Sequence, residues 1–234
     1  MEIYAVEILD ISEDMLNKLY SLIDLRKVSK VKKFINKKDK IRTLIGEILI
    51  RTIIIEELGI RNDNIRFEKN SYGKPYIKEY TQFNFNISHS GNFVVCAIDN
   101  NPIGIDIEEV KYIEYEDIAK NFFTTNEFDY IAKNDPYSSL SRFYEIWTLK
   151  ESFIKCCGQG LSIPLKSFSI EIDQYKNIRV VTDGKHKDYI FKSVNMEINY
   201  KIAICSLSKE ISNHITVIDQ DCLINRYLDQ AWNK

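Results

Sequence analysis

The sequence predicts an α+β fold of two similar halves, each setting helices against an antiparallel sheet. Three observations lead there. Apolar residues recur at helical spacing from Asp39 to Leu58 and again from Phe143 to Lys155. Between them, Phe83, Phe85 and Ile87 alternate with polar residues, Phe93 to Ile98 is an apolar run, and Ile103, Ile105 and Ile107 alternate again, which is the signature of strands. The stretch Tyr200-Lys201-Ile202-Ala203-Ile204-Cys205 also echoes Asn92-Phe93-Val94-Val95-Cys96-Ala97, a hint of repetition. No linker rich in Gly, Ser or Pro divides the chain. The weakest join is at Asn100 to Pro102, which separates residues 1–101 from 102–234.

Taken in order, Met1 to Leu9 reads as an opening strand and Glu13 to Asp24 as a helix. A basic cluster follows, from Arg26 and Lys27 through Lys30, Lys32, Lys33, Lys37, Lys38, Lys40 and Arg42, opposed only by Asp39. It reads either as a solvated face or as a rim for phosphate. In the helix from Asp39 to Leu58, Ile41, Leu44, Ile45, Ile48, Leu49, Thr52, Ile55 and Leu58 share one face, and Gly59 caps the end. Arg42 and Thr43 lie in its first turn, where free amides favour an anion. Ser71 to Pro75 is a turn by composition. Ser88-His89-Ser90-Gly91-Asn92 is expected as a hairpin loop, and Asp99 to Pro102 as a second turn, making the strands around them a three-stranded meander. Helices are expected at Tyr115 to Phe123 and Asn126 to Lys133, with Thr124 and Glu127 forming a capping box. After Gly158 and Gly160 come strands at 168–172, 178–181, 189–192, 200–207 and 215–218.

With 234 residues, 44% hydrophobic, 28% charged and a formal net charge of −2, the chain has the make-up of an ordinary soluble globular protein. That balance argues against a general nucleic-acid binder. The N-terminus lacks a signal-peptide pattern, and the most apolar run, Ile45 to Leu58, is interrupted by Glu47, Arg51, Glu56 and Glu57, so no membrane association is expected. Five cysteines cannot all pair within the chain, and reduced thiols in the cytoplasm are the simplest account.

Chemistry concentrates in a few places. Trp147, Glu151 and Lys155 fall four apart along one line of a helix, although Glu followed four residues later by Lys is also a common surface pair. Asp106 and Glu108 point to one face of a strand, away from Ile103, Ile105 and Ile107. They form either the wet face of an edge strand or, since like charges there repel, a pair neutralised by a hard divalent cation such as Mg²⁺. Glu151 could complete such a site. Ser88, His89 and Ser90 offer donors, with Gly91 allowing close backbone approach. There is no GxSxG elbow, P-loop or GxGxxG. The residues alone lead to Mg²⁺-dependent chemistry on a phosphate-bearing ligand.

Gly73-Lys74-Pro75, Phe85-Asn86-Ile87-Ser88-His89-Ser90-Gly91, Gly104-Ile105-Asp106-Ile107-Glu108 and Trp147-Thr148-Leu149-Lys150-Glu151-Ser152-Phe153-Ile154-Lys155 occur in the order and spacing of the 4'-phosphopantetheinyl transferases. The chain most resembles the larger, single-chain class that activates the surfactin synthetase, and Arg42 to Gly46 and Gly158 to Leu165 fit that class as well. The resemblance implies two α+β halves related by a pseudo-twofold, with coenzyme A in the cleft between them. The implied reaction transfers the phosphopantetheine group from coenzyme A to a serine of an acyl or peptidyl carrier protein, with Mg²⁺ as cofactor, in a monomer. By position, Asp106, Glu108 and Glu151 would hold the metal and Asp106 would serve catalysis with Glu151, the general base, and Lys155, which would bind the pyrophosphate. Lys27, Lys30, Arg42 and His89 resemble the residues that grip the 3'-phosphate, with Thr43, Lys74, Asn86 and Ser88 lining the nucleotide site. A non-catalytic coenzyme A or nucleotide-binding module is the alternative. Which carrier is served (fatty-acid, polyketide or nonribosomal-peptide) is not legible in the chain.

Overall fold

The computed structural model describes residues 1–133, 136–182, 188–194 and 196–232. The first half runs β1 (Glu2–Glu7), α1 (Glu13–Tyr20), α2 (Leu25–Val31), α3 (Lys37–Leu58), a short hairpin of β2 (Glu68–Lys69) and β3 (Pro75–Tyr76), then β4 (Asn84–Ser90) and β5 (Phe93–Asp99). The second half repeats the sequence of elements as β6 (Ile103–Glu109), α4 (Tyr115–Phe122), α5 (Thr125–Ala132), α6 (Pro136–Cys157), a hairpin of β7 (Phe168–Ile172) and β8 (Ile178–Thr182), then β9 (Ile190–Val194) and β10 (Tyr200–Ser206). The chain then adds β11 (Thr216–Ile218) and α7 (Gln220–Trp232).

Strand order repeats too. One sheet is ordered β11-β1-β5-β4 and the other β6-β10-β9, so in each half the first strand pairs with the last, and the last with the one before it. The echo between the segments around Phe93 and Tyr200 therefore marks equivalent central strands, and two similar α+β halves is the architecture observed.

Burial explains the composition of the strands. The two sheets pack face to face through Ile3, Ala5, Phe93, Val95 and Ala97 on one side and Ile103, Ile105, Ile107, Tyr200, Ile202 and Ile204 on the other. Helix α3 covers the outer face of the first sheet, where Leu44, Ile45 and Ile48 meet Val94, Cys96 and Ile98. Helix α6 covers the second, with Phe143, Ile146, Leu149 and Phe153 in the same core as Ala203 and Cys205. The result is four layers, helix on sheet on sheet on helix. A central strand such as β5 is buried on both faces, and so its sequence is a continuous apolar run rather than an alternation.

Two expectations are corrected, and one element is added. The strands do not form a meander: β6 leaves β5 and pairs with β10, because both edges of β5 are already taken by β1 and β4. Ser88, His89 and Ser90 belong to strand β4, with only Gly91 and Asn92 left as the turn. Gly91 has a φ of 56°, and a β-carbon there would collide with the Tyr200 hydroxyl and the Glu109 carboxylate, so glycine is required. Helix α7 has no counterpart among the expected elements; it packs on α3 through Leu223, Ile224, Tyr227 and Leu228. Among the described residues no helix is long and apolar enough to cross a membrane, and no disulfide joins the cysteines.

Candidate active site

Strand parity builds the site. In β6 the isoleucines face the other sheet, so Gly104, Asp106 and Glu108 must face α6. Far from being the wet face of an edge strand, Asp106 is only 3% exposed. Helix α6 comes exceptionally near this strand, because a β-carbon on Gly104 would strike the Ser152 carbonyl oxygen and the Cys156 amide nitrogen and stand 3.0 Å from the Lys155 carbonyl carbon. That approach brings the Lys155 ammonium to Asp106 Oδ1 at 2.6 Å, with further bonds to Ser88 Oγ at 3.0 Å and the Ile105 carbonyl at 3.3 Å. Lys155 is thus not simply a surface partner of Glu151.

Strand β4 lies beside β6 without a backbone ladder between them, and side chains take the ladder's place. Asn86 Oδ1 accepts the Ile105 amide at 2.8 Å, Ser88 Oγ donates to Asp106 Oδ1 at 2.8 Å, and Ser90 Oγ donates to Glu108 Oε2 at 2.7 Å while accepting the Glu109 amide at 3.1 Å. Asn86, Ser88 and Ser90, alternate residues of one strand, thus join the two halves along β6, the two serines at the carboxylates. Ser90, a candidate donor in the sequence that the resemblance leaves without a role, has its place in the same alternation.

The electrostatics are those of a site short of positive charge. Burial, then the Asp106 charge, pushes the Glu108 carboxyl up to about 7, and Glu151 moves upward for the same two reasons in the same order. Asp106 Oδ2 is buried without a hydrogen-bond partner. An all-oxygen donor set with an orphaned carboxylate oxygen fits a hard divalent cation. In the present side-chain arrangement Asp106 is turned to Lys155, and no group of three His, Cys, Asp or Glu side chains among the described residues is close enough to hold an ion.

On the first half, Arg42 in the opening of α3 donates to the Gly91 carbonyl at 3.0 Å and pairs with Asp39. It thereby ties the helix start to the β4–β5 turn. The protein around His89, followed by the Arg42 charge, holds the imidazole below its ordinary range. Thr43 follows Arg42, half-buried. Lys27 pairs with Glu47 at 3.2 Å, Lys30 is exposed on the same helix, and Lys30 depresses the neighbouring Lys69 by like charge. Lys74 points inward, its ammonium on the carbonyls of Ile103 at 2.9 Å and Lys155 at 2.7 Å.

Lys150, next to Glu151, serves the scaffold. It is wholly buried and bonds both oxygens of Glu127 (2.6 and 2.8 Å) and the Phe168 carbonyl (2.8 Å). Glu127 in turn accepts the Thr124 and Ile170 amides, the first completing the expected capping box. Every group in this buried network has a partner, as a charge removed from water requires.

Two families match adjoining stretches of the chain: residues 10–101 fit the 4'-phosphopantetheinyl transferase N-terminal family, and residues 102–205 the 4'-phosphopantetheinyl transferase superfamily. The 4'-phosphopantetheinyl transferase Sfp of Bacillus subtilis (strain 168) is 36% identical over 225 residues, covering 96% of this chain and 100% of that one. The 4'-phosphopantetheinyl transferase gsp of Aneurinibacillus migulanus is 38% identical over 226 residues, covering 96% and 94%. The L-aminoadipate-semialdehyde dehydrogenase-phosphopantetheinyl transferase of Rattus norvegicus is 33% identical over 214 residues, 82% of this chain and 69% of that one. A solved holo-(acyl-carrier-protein) synthase from Bacillus anthracis in complex with CoA (3',5'-ADP) aligns with 45% of this chain at 18% identity and a TM-score of 0.40, too distant a likeness to carry an argument.

Proposed function

Because the chain belongs to the 4'-phosphopantetheinyl transferases, we propose that it moves the phosphopantetheine group of coenzyme A onto a serine hydroxyl of an acyl or peptidyl carrier protein, with Mg²⁺, releasing 3',5'-ADP. The observation that carries this reading is the Lys155 ammonium bound to Asp106 and Ser88, beside two carboxyls that burial and Asp106 push upward.

In the proposed chemistry, the serine oxygen bonds to the phosphorus that carries the pantetheine arm, and the pyrophosphate oxygen leaves with 3',5'-ADP. Glu151, raised above an ordinary carboxylate, is a stronger base and takes the serine proton. Lys155 carries positive charge to the departing phosphate, where negative charge accumulates. Asp106, Glu108 and Glu151 would hold Mg²⁺, which when bound supplies charge neutralisation at the pyrophosphate. Arg42, His89, Lys27 and Lys30 would grip the 3'-phosphate. Thr43, Lys74, Asn86 and Ser88 would line the nucleotide site, Lys74 with its ammonium held on the Ile103 and Lys155 carbonyls.

The same reading takes residues 1–101 and 102–234 as the two working halves of a monomer in the cytoplasm, with neither nucleic acid nor membrane as a partner. The odd number of cysteines and the net charge of −2 support it. Full-length identity to proteins named as transferases leaves the non-catalytic alternative without an observation in its favour.

The test is intact-mass spectrometry of a panel of apo carrier proteins incubated with the enzyme, coenzyme A and Mg²⁺. A gain of one phosphopantetheine group that a chelator blocks is expected. Unchanged carriers, with the enzyme folded and binding coenzyme A, would overturn the reading.

A further inference from the structure

The loop from Asn70 to Lys74 is built as a rigid hook. The Asn70 side chain accepts the amides of Tyr72 and Lys74, both at 2.9 Å, while the Asn70 amide bonds the Lys74 carbonyl and the Gly73 amide the Asn70 carbonyl, both at 3.0 Å. Gly73, at a φ of 92°, makes the turn. This hook belongs to the first half and is set into the second.

Its target is the end of α6. A helix leaves its last carbonyls without intrahelical partners, and that end carries partial negative charge. Asn70 Nδ2 donates to the Gly158 carbonyl at 2.7 Å and Lys74 Nζ to the Lys155 carbonyl at 2.7 Å. The same ammonium also bonds the Ile103 carbonyl, the start of β6. One cation therefore joins the strand that carries Asp106 to the helix that carries Lys155, where Gly104 lets the two approach. Both acceptors of that ammonium are backbone carbonyls of the second half, and burial lowers its proton affinity.

We propose that Lys74 is a positioning residue: its ammonium, held on the Asn70 hook, fixes the spacing of β6 and α6 that places Lys155 on Asp106, and does not itself touch the substrate. The catalytic part of this inference rests on the transferase reading; the clamp does not.

Lys74→Met is compared with the unaltered protein in three measurements: coenzyme A affinity by calorimetry, transfer rate by intact mass, and amide hydrogen exchange over residues 154–158. The expected result is a transfer rate lower by about tenfold, coenzyme A affinity within about twofold, and faster exchange at the end of α6. In a Lys155→Met background the same substitution should cost less than about twofold in residual transfer, since its route runs through Lys155. Affinity weakened about tenfold with the rate kept would put the ammonium on the nucleotide and overturn the proposal. So would a rate loss undiminished in the Lys155→Met background. If Lys74→Met fails to fold, Asn70→Ala, which removes the Gly158 contact and loosens the hook, must show the same split between rate and affinity; an unchanged rate there overturns the proposal. Exchange needs no turnover, so a transferase reading that fails on the unaltered protein is told apart from a clamp that fails on residues 154–158.

Discussion

Gly104 of β6 lies against the backbone of Ser152 on α6, with no room between them for a β-carbon. Gly104→Ala would thus force the helix off the strand and draw Lys155 away from Asp106. Overpacking of this kind costs about 1–3 kcal/mol. The expected outcome is a lower urea midpoint together with a loss of transfer larger than the loss of folded protein explains. Unaltered activity with unaltered stability would show that the two elements have slack.

Asp106 holds Lys155 through one oxygen and leaves the other buried without a partner. Asp106→Ala should lower turnover by about 10²–10³-fold, as loss of a charged group at a reacting centre does. It should also flatten the dependence of rate on Mg²⁺ concentration. Steady-state rates across a Mg²⁺ titration are the check, and a variant with full activity would exclude Asp106 from the site.

Glu108 titrates near 7 in the folded protein against an ordinary 4.5, so the folded state holds a proton that the unfolded chain gives up. Its contribution to stability is complete below about pH 4.5 and declines as pH rises through about 7. Without divalent cations, the melting temperature of the unaltered protein should fall across this window more steeply than that of Glu108→Gln. Melts over a pH series in chelator decide it. Equal slopes would mean that Glu108 is better solvated than its burial implies.

His89 is held below its ordinary range by the surrounding protein and by Arg42, so it enters neutral pH uncharged. A dianionic phosphate placed there would raise its proton affinity, and binding should take up protons. Coenzyme A should therefore bind more tightly as pH falls toward 6.5, the ordinary imidazole value. His89→Ala should remove that dependence and weaken coenzyme A more than 3'-dephospho-coenzyme A. Calorimetry in buffers of different ionisation enthalpy measures the uptake, and equal weakening of the two ligands would remove the 3'-phosphate role.

Much of this molecule is legible in the chain because strand and helix periods determine which residues share a face. The parity of Ile103, Ile105 and Ile107 already turns Asp106 and Glu108 together, and spacing by four already aligns Trp147, Glu151 and Lys155. What periodicity does not carry is which strand lies beside which. Nothing local tells β6 to abandon β5, since that follows from the two partners of β5, one of which, β1, lies at the far end of the half. Ser88-His89-Ser90-Gly91-Asn92 reads as a hairpin loop joining two strands, yet its two serines are polar for a strand's reason, serving β6 across a gap. The inward turn of Lys74 depends on a helix end more than eighty positions away in sequence and leaves no trace in its neighbours. Helix α7 did leave one: Leu223, Ile224, Tyr227 and Leu228 stand at helical spacing.

The parallel pairing of β1 with β11 joins residues near opposite ends of the chain, and the Leu9 amide reaches Gln220 Oε1 across 211 positions. Synthesis makes β1 before β11, and the other strands of both sheets emerge between them. Throughout synthesis the outer edge of β1 presents unpaired amides and carbonyls, a template for strands of neighbouring nascent chains. Pairing of β11 along β1 removes that template, so the strand made last closes an edge of the strand made first.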